Sequence, residues 1–392
     1  MCSTYQIQTG TFRRRKSKIS RKRSFLRSHC RVSRGAPSTP GDIWPVVMLA
    51  CVDKTSIWET CKDTDGTPCD DTTLKWLHTL NREWLEVVAN LFLRRLAMTI
   101  LDPDRSRIVS IDFIDNPYHG DHYADEGELC SMAPKDGTTT CHRYCTAYVV
   151  SNGKPVTLAM TYVRNDEDEA DAVERVLARV ETYPFEIKQI LMDRDAFVGE
   201  LIGILRQTAP PVFPVRTGKD SLRKKLSVSA SYMTEETICE GKQHEQMYPP
   251  AVNVTYQNGD RGKSGVKTVG YAAYGLEDRT PAQVATTYDK RAQIEKSYEK
   301  FREARALTTS PSTTIRLFYV GVGFLLEQLW LVLQWAVLAH PRRGGRVLPD
   351  DFTFNDGFLH GIQEVLDEEL GWKDKHRTNG EGLPPCYDHG LG

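Results

Sequence analysis

The side chains best suited to chemistry lie together on one face of a predicted helix, Thr287–Arg305. This segment has no Pro or Gly and is rich in Ala, Glu, Lys, Arg and Gln, which favours a helix. At 100° per residue, Tyr288, Arg291, Glu295 and Arg302 fall within about 40° of one line along its surface. Guanidinium and phenol groups suit phosphate oxygens, and a carboxylate suits a hard metal ion. A solvated helix face with an ordinary i, i+4 ion pair has the same pattern, so the helix alone leaves both interpretations open.

Two acidic residues upstream belong to predicted strands. Ile108–Ile114 is a short apolar strand that contains Asp112, and a charge in a buried strand is costly unless a metal ion or partner compensates it. Asp115 competes for the same role, but residues three apart on a strand point to opposite faces, so only one can serve and we favour Asp112. Ile187–Asp193 is an apolar strand that ends on an acid, where open α/β sheets place their sites.

The elements that must position these residues follow the order of an RNase H-like fold of the α/β class. Asn152-Gly153 is a strong hairpin signal between two predicted strands, and a helix, the strand ending at Asp193 and a second helix come next. The two hairpin strands are Arg143–Ser151 and Pro155–Val163, and the two helices are Glu167–Tyr183 and Phe197–Gln207. In that fold the first strand lies beside the strand after the helix, which would bring Asp112 next to Asp193.

The spacing Tyr288-x2-Arg291-x3-Glu295-x6-Arg302 resembles the Y-R-E-K signature of insertion-sequence transposases with a DDE catalytic triad. The run IEKSYEKFREARALTTS is similar to members of the archaeal branch of that superfamily. The turn NPYHG, after the first predicted strand, has a counterpart directly after their first catalytic Asp. The resemblance covers roughly Ile108–Trp335. Arg302 stands where the usual residue is Lys, so the charge is kept but a planar fork replaces a compact ammonium.

The resemblance implies a transposase whose catalytic and metal-binding residues are Asp112, Asp193 and Glu295. Three carboxylates close together would repel one another, and divalent cations relieve that repulsion. We therefore expect Mg²⁺ or Mn²⁺, as two ions. Such ions activate a water or a 3′-hydroxyl and stabilise the leaving oxygen during displacement at phosphorus.

Double-stranded DNA is the implied partner, both as transposon end repeats and as target DNA, and we expect a homodimer in the DNA complex. The implied reaction is hydrolysis at the end of the element, followed by attack of the freed 3′-hydroxyl on target DNA. Tyr288, Arg291 and Arg302 would bind the DNA, holding phosphates and displaced bases near the cut. We expect a cytoplasmic, nucleoid-associated protein.

Two other functions are compatible with the sequence. A decayed or domesticated transposase would keep the fold and act only as a DNA-binding protein, which the departure at Arg302 favours. A nuclease of the same fold would cut DNA without joining it. The presence of Asp112, Asp193 and Glu295 favours an enzyme over a binding protein.

Composition and pattern divide the chain into six segments. The predicted boundaries are 1–41, a basic, disordered arm; 42–104, a helical region that could bind DNA ends; 105–217, the first part of the RNase H-like core; 218–280, a β-rich insertion; 281–345, the second part of the core with the Glu295 helix and an apolar helix; and 346–392, a C-terminal tail. In the helical region a 3.6-residue apolar stripe is predicted to face the core. The stripe comprises Trp84, Leu85, Val88, Leu91, Phe92 and Leu96.

Charge is distributed unevenly over the 392 residues. Eleven Lys or Arg lie between Arg13 and Arg34, which leaves 40 basic against 52 acidic residues in the rest of the chain. A cationic arm on an acidic body indicates a polyanionic partner. The arm lacks the apolar stretch of a secretory signal, and ten Cys without regular spacing predict reduced cytosolic thiols.

Two further interpretations are disfavoured. Cys141-x3-Cys145, with His142 and Cys130 nearby, overlaps the predicted strand Arg143–Ser151 and lacks a second Cys pair, so a zinc site is not expected. Leu317–Ala339 is apolar over a length that could span a bilayer, but it contains Glu327 and two Gln. Because charged groups within a lone membrane span are costly, a buried core helix is favoured and no membrane partner is expected.

Overall fold

The computed structural model describes most of the chain between residues 39 and 370. The described ranges are 39–64, 67–120, 128–151, 153–194, 198–216, 230–241, 243–256, 265–343, 345–347 and 352–370. All but three residues of the predicted basic arm, and the tail after residue 370, lie outside them.

Four helices precede the first strand. They are α1, Pro40–Val52; α2, Ile57–Asp63; α3, Asp70–Leu77; and α4, Arg82–Ile100. Helix α4 begins where the Asn81 side chain accepts a hydrogen bond from the Trp84 N–H at 2.8 Å, which is a standard N-cap. Helix α1 has Pro40 at its first position, so it includes the last two residues of the predicted arm.

The apolar stripe predicted for α4 was right for Leu85, which is buried, but wrong for Trp84, Leu91 and Phe92, which are exposed. The core-facing residues are Leu85, Leu93, Ala97 and Ile100. Trp84 is 47% exposed and Leu91 is 60% exposed. The helix has apolar residues on two faces, and the face with alanines is the one that packs inward. A small side chain lets a neighbouring helix approach closely, which outweighs the larger area of the aromatic face.

Thirteen strands are described. They are β1, Arg107–Pro117; β2, Cys130–Lys135; β3, Thr138–Ser151; β4, Lys154–Val163; β5, Ile187–Leu191; β6, Pro211–Pro214; β7, Tyr232–Met233; β8, Glu236–Ile238; β9, Gln246–Tyr248; β10, Pro250–Tyr256; β11, Val266–Ala273; β12, His340–Arg342; and β13, Gly345–Val347. Nine of them form one central sheet, and β8–β9 and β12–β13 form two small ribbons.

The central sheet has the order β2-β3-β1-β5-β6-β11-β10-β7, with β4 also paired to β3. Strands β1, β3 and β4 are antiparallel neighbours, whereas β5 is parallel to β1 and β6 is parallel to β5. Strand β11 then pairs antiparallel to β6, and β10 pairs with β11. Three of the five described strands of the predicted β-rich insertion, β11, β10 and β7, therefore extend the central sheet at β6.

Six helices follow or interrupt the sheet. They are α5, Glu169–Val180; α6, Gly199–Thr208; α7, Pro281–Tyr288; α8, Gln293–Glu303; α9, Thr313–Leu333; and α10, His360–Leu370. The single helix predicted over Thr287–Arg305 is two helices, because a 3₁₀ turn at Asp289–Ala292 separates α7 from α8.

The long apolar segment packs as a core helix. Helix α9 with the π-turn after it, Thr313–Leu338, is long and apolar enough to cross a membrane by length and composition. The rest of the protein buries 78% of its most apolar window. Helix α9 packs against α4, α8 and β4, so it sits at the centre of the helical layer.

Two glycines of α9 yield a stability prediction, because α8 crosses close to only one of them. A Cβ at Gly323 would lie 3.0 Å from the carbonyl oxygen of Phe301, whereas a Cβ at Gly321 would lie 3.5 Å from the Cβ of Ala89. Gly323→Ala should lower the free energy of unfolding by about 1–3 kcal/mol, because backbone must move.

Gly321→Ala is the matched control for that change. Its contact is ordinary and alanine favours the helix, so stability should be unchanged or rise by up to about 1 kcal/mol. Urea unfolding of both variants measures the difference. Equal effects at the two positions would contradict the described approach of α8 to α9.

Candidate active site

Two adjacent parallel strands bring Asp112 and Asp193 to one place. Strand β1 pairs with β5 in the register Ser110 to Leu191. Asp112 lies two residues beyond Ser110 on β1, and Asp193 lies two residues beyond Leu191, just after β5 ends. Because parallel strands advance together, matching offsets from a paired position leave the two carboxylates side by side.

The guanidinium of Arg291 connects the two carboxylates. Its Nη2 lies 2.9 Å from an Oδ1 oxygen of Asp112 and 3.5 Å from an Oδ2 oxygen of Asp193. The side chains of Asp112 and Arg291 are 18% and 13% exposed, whereas that of Asp193 is 53% exposed. The buried Nε of Arg291 has no hydrogen-bond partner among the described residues. The two acids thus share the Arg291 guanidinium, and its Nε–H remains available to donate another hydrogen bond.

Burial and charge shape the protonation of this cluster in opposite ways. Burial raises the pKa of Asp112, and the nearby Asp193 adds to that effect, while Arg291 and the Phe113 N–H lower it without restoring the ordinary value. Burial lowers the pKa of Arg291, but Asp112, Tyr288 and Asp193 more than compensate, so the net pKa is raised. The guanidinium is therefore a permanent charge, and Asp112 is the acid whose ionisation depends on a neighbouring cation.

Two successive hydrogen bonds connect α8 to the sheet at Asp112. Thr146 lies opposite Asp112 in the β1–β3 register, and its hydroxyl donates to the Asp112 carbonyl at 3.1 Å. The Tyr298 hydroxyl of α8 lies 2.9 Å from the same Thr146 oxygen. Because Thr146 donates its only hydroxyl proton to the Asp112 carbonyl, the Tyr298 hydroxyl donates to Thr146. The sequence does not point to Thr146, because the register that pairs it with Asp112 cannot be predicted from one strand alone.

Glu295 occupies the first turn of α8, four residues after Arg291 and three before Tyr298, and its side chain is exposed. Each residue in 3₁₀ geometry turns by about 120° rather than 100°, so the predicted stripe loses phase at the turn before α8. Arg291 contacts the aspartates, whereas Glu295 is exposed and is not grouped with them. Within the described part of the chain, no three His, Cys, Asp or Glu residues are grouped so that they could hold a metal ion.

The two other predicted DNA-binding residues, Tyr288 and Arg302, lie in different surroundings. Tyr288, at the end of α7, packs its ring 5.2 Å from that of Tyr271, and burial raises its pKa while Arg291 opposes the rise. Arg302 is exposed in the last turn of α8, where its positive charge adds to the lowering of the pKa of Arg305 that burial causes. Tyr288 therefore adjoins the aspartates, and Arg302 lies about 10 Å along α8 from Glu295.

The competing acid Asp115 has a different partner. Arg143 of β3 donates to its Oδ1 from Nε at 2.7 Å and to its Oδ2 from Nη2 at 3.3 Å. This bidentate pair lies on the opposite face of β1 from Asp112, as the alternation of a strand requires. Nearby, Cys141 and Cys145 are both buried, and burial raises the pKa of each thiol.

The start of α7 was missed, although the sequence contains its signal. Thr280 and Gln283 form a capping box, with Pro281 at the first helical position. That box places a helix start six residues upstream of the predicted one, and the helix that begins there ends at Tyr288.

Comparison with known proteins identifies the fold. No family model and no curated protein sequence matches the chain. Among solved structures, the chain is similar to a piggyBac transposase determined by cryo-electron microscopy in a synaptic complex with hairpin DNA. The TM-score is 0.52 at 11% sequence identity, and the match covers 93% of this chain and 78% of that one. At this identity the similarity concerns the fold, and the chain has a transposase-like fold.

Proposed function

We propose that the protein is a DDE transposase that cuts DNA at the ends of an insertion sequence and joins them to target DNA. The observation that carries this proposal is the meeting of the Asp112 and Asp193 carboxylates at one cation position, on adjacent parallel strands of a transposase-like fold. The strand order β4-β3-β1-β5-β6, three antiparallel strands followed by two parallel ones, supports an RNase H-like core. The similar structure is a DNA complex, which supports double-stranded DNA as the partner of this chain too.

The residues present suit a divalent metal ion. Two carboxylates already share a cation, and hard oxygen donors are what Mg²⁺ and Mn²⁺ prefer. Asp112 and Asp193 would hold the metal, with Glu295 as the third ligand and two ions in the full site. Bound ions would polarise the attacking water or 3′-hydroxyl and stabilise the leaving oxygen.

The protein's own residues have distinct tasks in this reaction. Arg291 carries a fixed positive charge and an unused Nε–H, so it can neutralise the aspartates or donate to a phosphate oxygen. Tyr298 and Thr146 hold α8 against the sheet, directly after the turn that carries Arg291. Tyr288 and Arg302 would contact the phosphates and displaced bases of the DNA near the cut. We propose that a homodimer assembles on the DNA, and that the protein is cytoplasmic and associated with the nucleoid.

One observation favours a second function. The Glu295 side chain is exposed, and no three-ligand group is formed by the described residues, as an inactive transposase that only binds DNA would allow. The two functions differ in whether Glu295 joins the aspartates when DNA and metal are present.

A strand-joining assay separates the candidates. The full chain is incubated with Mg²⁺, a labelled duplex carrying a candidate terminal repeat, and a supercoiled target plasmid. The proposal predicts cleavage at the repeat and joined product that EDTA abolishes. Cleavage without joining would indicate a nuclease, and binding without cleavage would indicate the inactive protein.

A further inference from the structure

A small basic pocket lies beside the aspartates and has no role in the reaction described above. It has a volume of about 220 Å³ and lies between the amino-terminal part of β1, the end of β3 and the 3₁₀ turn. Its polar lining consists of Arg105, Arg107, Lys290, Ser106, Ser110 and Ser151, and two aliphatic side chains complete it. None of the described residues that line it is acidic. This basic pocket therefore combines three cations and three hydroxyl donors, which is a donor set for an anion.

Arg107 makes the basic pocket a built site rather than a patch of surface charge. The residue is only 7% exposed, and its Nη2 donates to the Asp102 carbonyl at 3.2 Å. Its buried Nε has no hydrogen-bond partner among the described residues. Burial lowers the pKa of Arg107, and repulsion from Arg105 acts in the same direction more strongly than attraction to Asp102 opposes it. A buried guanidinium with a spare N–H and excess positive charge around it is stabilised by an anion.

The position of the basic pocket relates it to the candidate active site. Ser110 precedes Asp112 by two residues on β1, so both side chains leave the same face of the strand about 7 Å apart. Lys290 directly precedes Arg291 in the 3₁₀ turn. The same face of β1 and the same 3₁₀ turn thus contribute residues to both the basic pocket and the candidate active site. A DNA strand with one phosphate at Arg291 would carry a neighbouring phosphate towards the basic pocket.

We propose that the basic pocket binds a phosphodiester group of the DNA strand next to the phosphate at the aspartates. Arg105, Arg107 and Lys290 supply the charge, and the serine hydroxyls donate hydrogen bonds. That the phosphodiester belongs to DNA rests on the proposed function. That the basic pocket binds a phosphate group does not depend on that function, because a free phosphate ion presents the same oxygens.

The test uses the double variant Arg105→Gln/Lys290→Gln, because both side chains are exposed and their replacement does not disturb the core. Lys188→Gln is the matched control, since Lys188 is an exposed cation on β5 that does not line the basic pocket. Affinity of the full chain for an end-repeat duplex is measured by fluorescence anisotropy in EDTA over a range of salt concentrations. The double variant should bind at least about tenfold more weakly at low salt, and its slope of log K against log salt should be smaller by about 1.

A second measurement distinguishes the source of the phosphate. Inorganic phosphate is added to both proteins in a thermal unfolding experiment. Lost DNA affinity in the double variant, with the control unchanged, supports the proposal. A phosphate-dependent rise in Tm in the wild type alone, with equal DNA affinities, would assign the basic pocket to a free anion and overturn it.

Two other outcomes separate the pocket from the proposed function. Equal DNA affinity and equal salt slope in an active enzyme would overturn the basic pocket alone. A wild-type chain that binds no DNA would overturn both the basic pocket and the proposed function. Arg107→Lys, which keeps the charge but removes the fork, should give a smaller loss of affinity than the double variant.

Discussion

Asp112→Asn should lower the rate of metal-dependent DNA cleavage by about 1,000-fold or more and leave the protein folded. Removing one charged ligand of a catalytic metal costs roughly 4 kcal/mol of transition-state stabilisation, and each 1.4 kcal/mol is a factor of ten in rate. The amide keeps the shape of the side chain and an oxygen that can accept from Arg291.

Asp112→Asn should be at least as stable as the wild type, although it loses activity. Burial raises the pKa of Asp112, so the ionised group is less favourable in the folded state than in the unfolded state once the pH exceeds the unfolded pKa. A neutral amide avoids that cost. In the absence of metal, the Tm of Asp112→Asn at neutral pH should equal or exceed that of the wild type.

Asp115→Asn provides the matched control. Asp115 lies three residues along the same strand, but its partner is Arg143 on the other face. Cleavage by this variant should stay within a few-fold of wild type, and its stability should fall modestly because a bidentate ion pair is lost. Rapid cleavage by Asp112→Asn, or loss of cleavage in Asp115→Asn alone, would show that the wrong acid was assigned.

Glu327→Gln should remove a pH dependence of stability that we expect of the wild type between about pH 5 and 8. Glu327 is fully buried in α9, accepts a 2.8 Å hydrogen bond from the Ser297 hydroxyl of α8, and has a second oxygen without a partner among the described residues. Burial raises its pKa to about 8, although Ser297 and Lys300 oppose the shift.

The sign of the effect follows from proton binding. Between the unfolded and folded pKa values, the folded state holds a proton that the unfolded state has lost, so stability falls as the pH rises. One such group contributes a slope of at most about 1.4 kcal/mol per pH unit. The contribution is fully present below the unfolded pKa and is lost once the pH exceeds about 8.

Urea unfolding at several pH values measures this contribution directly. Glu327→Gln should match the wild type near pH 5 and be more stable by several kcal/mol near pH 8. Glu299→Gln, an exposed acid on α8, should leave the slope unchanged. Ser297→Ala should raise the pKa of Glu327 further, because it removes a hydrogen bond to the charged form. Parallel pH profiles for wild type and Glu327→Gln would show that Glu327 is ionised in the folded protein.

Local patterns were sufficient to predict the elements that carry Asp112 and Asp193. Both acids lie within or directly after short apolar runs bounded by turn residues, and such runs specify a strand without knowledge of the rest of the chain. Asn152-Gly153 likewise lies between β3 and β4. The distance between the acids depended on the parallel pairing of β1 and β5, which the order of the elements suggested.

The details of the Glu295 helix were not accessible in the same way. A run of good helix formers does not reveal a 3₁₀ turn, because the residues of that turn have acceptable helix propensity. Three residues of the α4 stripe were predicted wrongly for a related reason, since two apolar faces compete and only the partner helix decides between them. The basic pocket was also invisible, as Arg107 and Lys290 are 183 residues apart and meet only through the fold.

Anomalous scattering from Mn²⁺ shows directly whether Asp112 and Asp193 hold a divalent metal ion. Crystals of the full chain with an end-repeat duplex are grown with Mn²⁺, and an anomalous difference map is calculated. We expect at least one peak about 2.1 Å from carboxylate oxygens of both Asp112 and Asp193, with Glu295 turned towards it and Arg291 moved to a DNA phosphate. A map in which Arg291 still joins the two aspartates and manganese is bound elsewhere or not at all would contradict it.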